Sequence, residues 1–150
     1  MILRLQTEMP VALVVCILLA GIGCKHPAAE RAFEDEVRDS LGSAKFDKTK
    51  LDDNVRIVVS SGSGRRFFTR ENIENFHADA QEKGEAWEPS NFKVLKKDVL
   101  PDSRYASITY EVTWKLSTGR KPTNSTHLVS REIWEHQVDG WHRLFAAMDQ

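Results

Sequence analysis

Between Ala106 and Leu116 every even position is apolar (Ala106, Ile108, Tyr110, Val112, Trp114, Leu116) and every odd position is polar (Ser107, Thr109, Glu111, Thr113, Lys115). Side chains of a strand point alternately to two faces, so this segment reads as a strand with one face buried and the other wet. A helix over the same residues would spread the apolar set around its whole circumference. The segment therefore requires a sheet with a covering layer on one side, and the rest of the chain has to provide both.

The covering layer comes first in the chain. Ala29, Phe33, Val37 and Leu41 recur every four residues, Glu30, Arg31, Glu34, Asp35 and Arg38 fill the opposite side, and Gly42 follows, which predicts an amphipathic helix with a glycine stop. A shorter helical turn is expected over 44–51, joining Phe46 and Leu51 to the same core. Asp52, Asp53 and Asn54 break it, and VRIVVS (55–60) is a β-branched strand. SGSG (61–64) reads as a turn, Thr69 as the cap of a second helix with the stripe Ile73, Phe76 and Ala80, and Trp87-Glu88-Pro89 as a loop. Phe92 and Val94 mark a short strand before a Pro101-Asp102 turn. Residues 125–137 and 141–148 give two more strands, joined at Val138-Asp139-Gly140, where Asp-Gly signals a hairpin. Helices first and a bent antiparallel sheet afterwards predict an α+β fold. With no internal repeat or linker, residues 28–150 read as one domain.

Ahead of that domain lies an address. Residues 11–22, VALVVCILLAGI, are apolar apart from glycine, too short for the ~20 residues of a membrane span and matched to the apolar region of a secretory signal, with Arg4 upstream. LLAGIGC, ending at Cys24, resembles the lipobox of bacterial lipoproteins, which implies cleavage after residue 23 and acylation (palmitate) of Cys24. Cleavage there removes Cys16 and leaves Cys24 as the only thiol, which lipidation consumes and a soluble secreted form would expose. A soluble form cut at the same bond and an uncleaved anchor are the alternatives. Residues 24–27 then form a tether of at most about 14 Å. The expected location is the extracytoplasmic side of the cell envelope, at the outer membrane where there are two, because Lys25 is not an acidic retention signal.

Charge narrows the partners. Twenty-one Lys plus Arg against 22 Asp plus Glu give a net charge of −1, so no field draws the chain to nucleic acid. His26, His77, His127, His136 and His142 lack metal-ligand spacing, and no phosphate-cradling loop or nucleophile triad is visible; no metal or cofactor is expected. Arg65, Arg66 and Arg70 around Phe67 and Phe68 read either as a solvated hairpin or as a grip for an anionic ligand or headgroups.

The order helix, short helix, DDNV with a strand, TRENIENF opening a helix, then long strands finishing in REIWEHQVDGWHRL resembles the nuclear transport factor 2-like superfamily, SnoaL-like members included. The resemblance implies a cone-shaped roll, also called cystatin-like, in which the sheet wraps the helices and leaves a pocket at its wide end. It also implies a homodimer through the outer sheet face. Isomerase members carry a carboxylate on the first strand and a tyrosine on the first helix; here 55–60 holds no acid and the first helix has Phe33 but no tyrosine.

The candidate pocket residues are Tyr110, Trp114, Ser130, Glu132 and Trp134, aromatic walls with a few polar groups that suit a small apolar ligand. They suit a filled core equally well. One parity of 125–137 turns Ser130, Glu132, Trp134 and His136 inward; the other buries Val129 and Ile133, and periodicity does not choose. An inward Glu132 with His136 is the candidate pair for acid–base catalysis of the isomerase, cyclase or dehydratase type. A membrane-anchored binding or assembly module is the leading reading.

Overall fold

The computed structural model describes residues 27–42, 46–99, 104–119 and 121–150. The signal, Cys24 and the Pro101-Asp102 turn lie outside these residues. Helix α1 (Pro27–Asp39) and a 3-10 turn (Lys48–Lys50) precede strands β1 (Leu51–Ser61) and β2 (Gly64–Thr69). Helix α2 (Arg70–Glu82) leads into β3 (Glu85–Val99), β4 (Tyr105–Thr118), β5 (Lys121–Gln137) and β6 (Gly140–Asp149).

All six strands form one sheet in the order β2-β1-β6-β5-β4-β3. Every pairing is antiparallel except β1 with β6, which is parallel, so the sheet is mixed where the sequence predicted an antiparallel one. The β4 alternation does what its periodicity demands: Ala106, Ile108, Tyr110 and Val112 are buried, while Trp114 and Leu116 are partly covered at the open end. Helix α1 lies on that concave face through Phe33, Val37 and Leu41. The Phe33 ring meets Trp141 at 4.7 Å and the edge of Trp134 at 6.2 Å. Ala29, first of the apolar stripe, is exposed. Lys97 of β3 ties the wet side of α1 down, 2.9 Å from Glu34.

Three expectations change. Trp87-Glu88-Pro89 is not a loop but part of β3, because Trp87 pairs with Leu116 and stacks on Trp114; tertiary pairing overrides the proline signal on an edge strand. The helical turn expected over 44–51 is described only as the 3-10 turn Lys48–Lys50, and 43–45 lie outside the described residues. Thr69 caps α2 with a reciprocal Asn72 bond, but the inward face of α2 runs through Ile73, His77 and Ala80, leaving Phe76 about half exposed. Positions i, i+4 and i+7 lie under one another on a helix, and His77 rather than Phe76 completes that line.

Candidate functional site

Glu132 faces inward from the middle of β5 and is one of the most completely buried side chains of the molecule. Its alternating neighbours Ser130 and Trp134 share that face, while Ile133 is exposed. Two donors therefore come from its own strand: Ser130 Oγ reaches Oε1 at 3.0 Å and Trp134 Nε1 reaches Oε2 at 2.8 Å. Tyr110 on β4 sits opposite Ser130, and its hydroxyl donates to Oε1 at 2.7 Å.

The fourth donor comes from an irregularity. On β6, Ala146 and Met148 are buried, which continued backwards would turn Leu144 and His142 inward. Ile133 pairs with Phe145 but Trp134 pairs with Arg143, so Leu144 is an extra residue and the strand changes parity across it. Trp141 and Arg143 point inward instead. Arg143 Nε donates to Glu132 Oε2 at 3.1 Å, Nη2 donates to Ser40 Oγ at 3.1 Å, and the guanidinium lies over Trp134 at 4.8 Å. A buried ion pair is tolerable only when its remaining polar positions are met. Here two donors reach each carboxylate oxygen. Burial first, then the Glu132 charge, pushes the Tyr110 hydroxyl well above its ordinary value of 10.0, so Tyr110 acts as a proton-bearing donor at any physiological pH.

His136 stands apart from this cluster. It pairs with Trp141 at the end of the hairpin and lies edge-on to that indole at 4.9 Å, exposed. It follows the inward parity of β5 but projects past the layer that covers Glu132. The Glu132 and His136 pair is not assembled, and Glu132 opens onto neither of two cavities beside it.

The larger cavity, about 520 Å³, lies between α2 and the concave face. Ile73 and His77 wall it from α2, Ile57 and Val59 from β1, Trp87 and Trp114 from β3 and β4, and Leu128 and Met148 from β5 and β6. A smaller one of about 210 Å³ lies beneath the 3-10 turn against Trp134 and Trp141. Ser40, Phe46 and Arg143 border both. Of the sequence candidates, Trp114 lines the larger cavity and Trp134 the smaller, while Tyr110, Ser130 and Glu132 form the buried network behind Arg143. Burial, and secondarily the Arg143 charge, hold the His77 imidazole down to about 4 from an ordinary 6.5, and Phe46 stacks on it at 3.4 Å.

Sequence reasoning missed Arg143 and His77. An arginine in a hairpin strand reads as solvated unless the switch of apolar parity between Trp141 and Ala146 is taken as a bulge. His77 was recoverable from its spacing to Ile73 and Ala80.

A cup of this form, closed by helices and floored by the sheet, has known counterparts. A nuclear transport factor 2-like protein from Cytophaga hutchinsonii superposes with a TM-score of 0.57 at 10% identity, over 83% of this chain and 98% of its own. The fold is nuclear transport factor 2-like. A conserved protein from Planctomyces limnophilus gives 0.61 at 15% identity, over 83% of this chain and 97% of its own. A domain of unknown function with a cystatin-like fold from Nostoc punctiforme gives 0.51 at 16% identity, over 85% and 78%. No family model and no curated protein matches the sequence. Among the described residues no group of three or more His, Cys, Asp or Glu is placed to hold a metal ion, and no helix is long and apolar enough to cross a membrane.

Proposed function

We propose that this nuclear transport factor 2-like domain is a small-ligand-binding module held at the cell envelope through an acylated Cys24. The observation that carries the binding reading is the cavity of about 520 Å³ with its wall of Trp87, Trp114, Ile57, Ile73 and Leu128, a size and chemistry suited to a small apolar molecule. Its convex face, where Ile133 and Phe67 stand exposed, is the surface on which a second copy would pair. The anchor reading rests on the lipobox and on the single remaining thiol.

A SnoaL-like enzyme using Glu132 as general base is the weaker reading. A base must reach a substrate proton, and Glu132 is enclosed by four donors and borders neither of the two cavities. Titrating the full chain with naphthalene, followed by quenching of tryptophan emission, tests the binding reading. Saturable binding is expected, and loss of it in Val59→Trp, which fills the cavity from β1. Wild-type protein that shows no saturable quenching overturns the binding reading.

A further inference from the structure

The two edges of the sheet are built differently. At one edge, the ladder of β3 with β4 shifts register twice, Asn91 beside the first shift has φ 54°, and Pro89, Lys93 and Lys96 lie along the strand. Bulges, proline and lysine are devices that keep an edge from pairing with another chain. At the other edge, β2 pairs with β1 through six successive positions without a shift, and all of it except Phe68 is exposed. Gly62 and Ser63 form a two-residue turn that closes on the Ser61 and Gly64 pair. Bonded pairs alternate along an antiparallel ladder, so Gly64, Arg66 and Phe68 bond to β1, while Arg65, Phe67 and Thr69 turn their main-chain groups outward. The Thr69 N–H fits that pattern, donating to Asn72 Oδ1 at 3.0 Å. Arg65 and Phe67 are left with an outward N–H and C=O each, the groups an added strand uses.

Side chains then select the strand. Arg66 and Phe68 turn to the cavity side, so Arg65 and Phe67 stand on the convex side, where Phe67 is 72% exposed beside half-buried Val58. Arg65 and Arg66 are exposed and make no salt bridge or side-chain hydrogen bond among the described residues. Asp149, the acid that feels the Arg65 charge, is already held by Arg131 at 2.6 Å. A second β2 edge would bring the arginines of both copies together, which like charge opposes. A strand carrying carboxylates at the same places would gain two charge-assisted contacts instead.

We propose that the β2 edge takes up an acidic protein segment as an added strand, with two adjacent Asp or Glu residues beside Arg65 and Arg66, one on each face of the sheet, and an apolar residue beside Phe67. The proposal is independent of the cavity and of the pairing of convex faces. The test is fluorescence anisotropy of dye-labelled, capped peptides of about seven residues, titrated with the full chain. Each peptide alternates Thr and Val around a central pair, which is Glu-Glu, Lys-Lys, or Glu-Glu in a peptide N-methylated throughout. The unmodified Glu-Glu peptide is expected to bind about tenfold more tightly than either of the others. Arg65→Glu combined with Arg66→Glu changes only exposed side chains; it should leave the melting temperature unchanged and reverse the order of the Glu-Glu and Lys-Lys peptides. A Lys-Lys peptide that binds the wild type as tightly as Glu-Glu overturns the charge selection. An N-methylated peptide that binds equally well overturns strand addition, because charge alone then holds it. No binding of the Glu-Glu peptide overturns the proposal outright, and phosphatidylglycerol vesicles bound through the same two arginines would then assign them to lipid headgroups.

Discussion

At the scale of single residues, the Glu132 network makes the sharpest demand. Replacing Glu132 by Ala leaves the largely buried Arg143 without its counter-charge and strips an acceptor from Tyr110, Ser130 and Trp134. A loss of about 3–5 kcal/mol is expected in urea denaturation, with Glu132→Gln falling between it and the wild type. Wild-type stability in Glu132→Ala would mean that the network does not hold the core. His77 supplies a pH effect whose sign is fixed: its folded value of about 4 lies below the unfolded 6.5, so the unfolded chain binds more protons between them. Stability from this group is full above 6.5 and declines as pH falls towards 4. Thermal melts across that window should show a decline that is shallower in His77→Phe. How little of the site was legible follows from these residues. Glu132 could be named on its strand, but Tyr110 and Arg143 reach it from other strands, and their arrival depends on register rather than on any local pattern.

Elements were more legible than residues because periodicity is a property of segments. The β4 alternation and the Phe33, Val37 and Leu41 stripe correctly fixed a buried face each, since one face of each held all the large apolar side chains. On β5 two large apolar residues stood on each side, so only pairing with β4 and β6 decided its inward set. Trp87 escaped because Pro89 beside it signals a break, whereas an edge strand tolerates proline. The β5–β6 hairpin also shows why a short turn matters at a distance. Gly140 has φ 121° and sits where a Cβ would come within 2.8 Å of both Glu36 Oε1 and Lys50 Nζ. Glu36 there accepts from the Trp141 N–H at 3.2 Å, and Lys50 donates to the Asp139 carbonyl at 2.5 Å, so the hairpin tip is bolted to α1 and the 3-10 turn. Gly140→Ala is expected to cost about 1–3 kcal/mol through the left-handed backbone alone, with further loss from parting Glu36 and Lys50. Equilibrium unfolding measures it, and Gly62→Ala, at a turn with open space around it, serves as the mild comparison.

For the whole molecule, the anchor is the first thing to establish. Labelled fatty acid should enter the protein in cells and fail to enter Cys24→Ala, and label persisting in that variant would contradict acylation at this cysteine. The strand order carries another consequence. β6 lies third in the sheet, bonded on one side to β1 near the start of the domain and on the other to β5. The ten residues of β6 follow the other five described strands in the chain, yet they join the two halves of the sheet. Until they emerge, β1 with β2 and β3 with β4 and β5 are separate ribbons, and contacts so distant along the chain form slowly. A fold built this way closes only when its sixth strand is in place, so removing β6 would part the sheet through its middle rather than trim it at an edge.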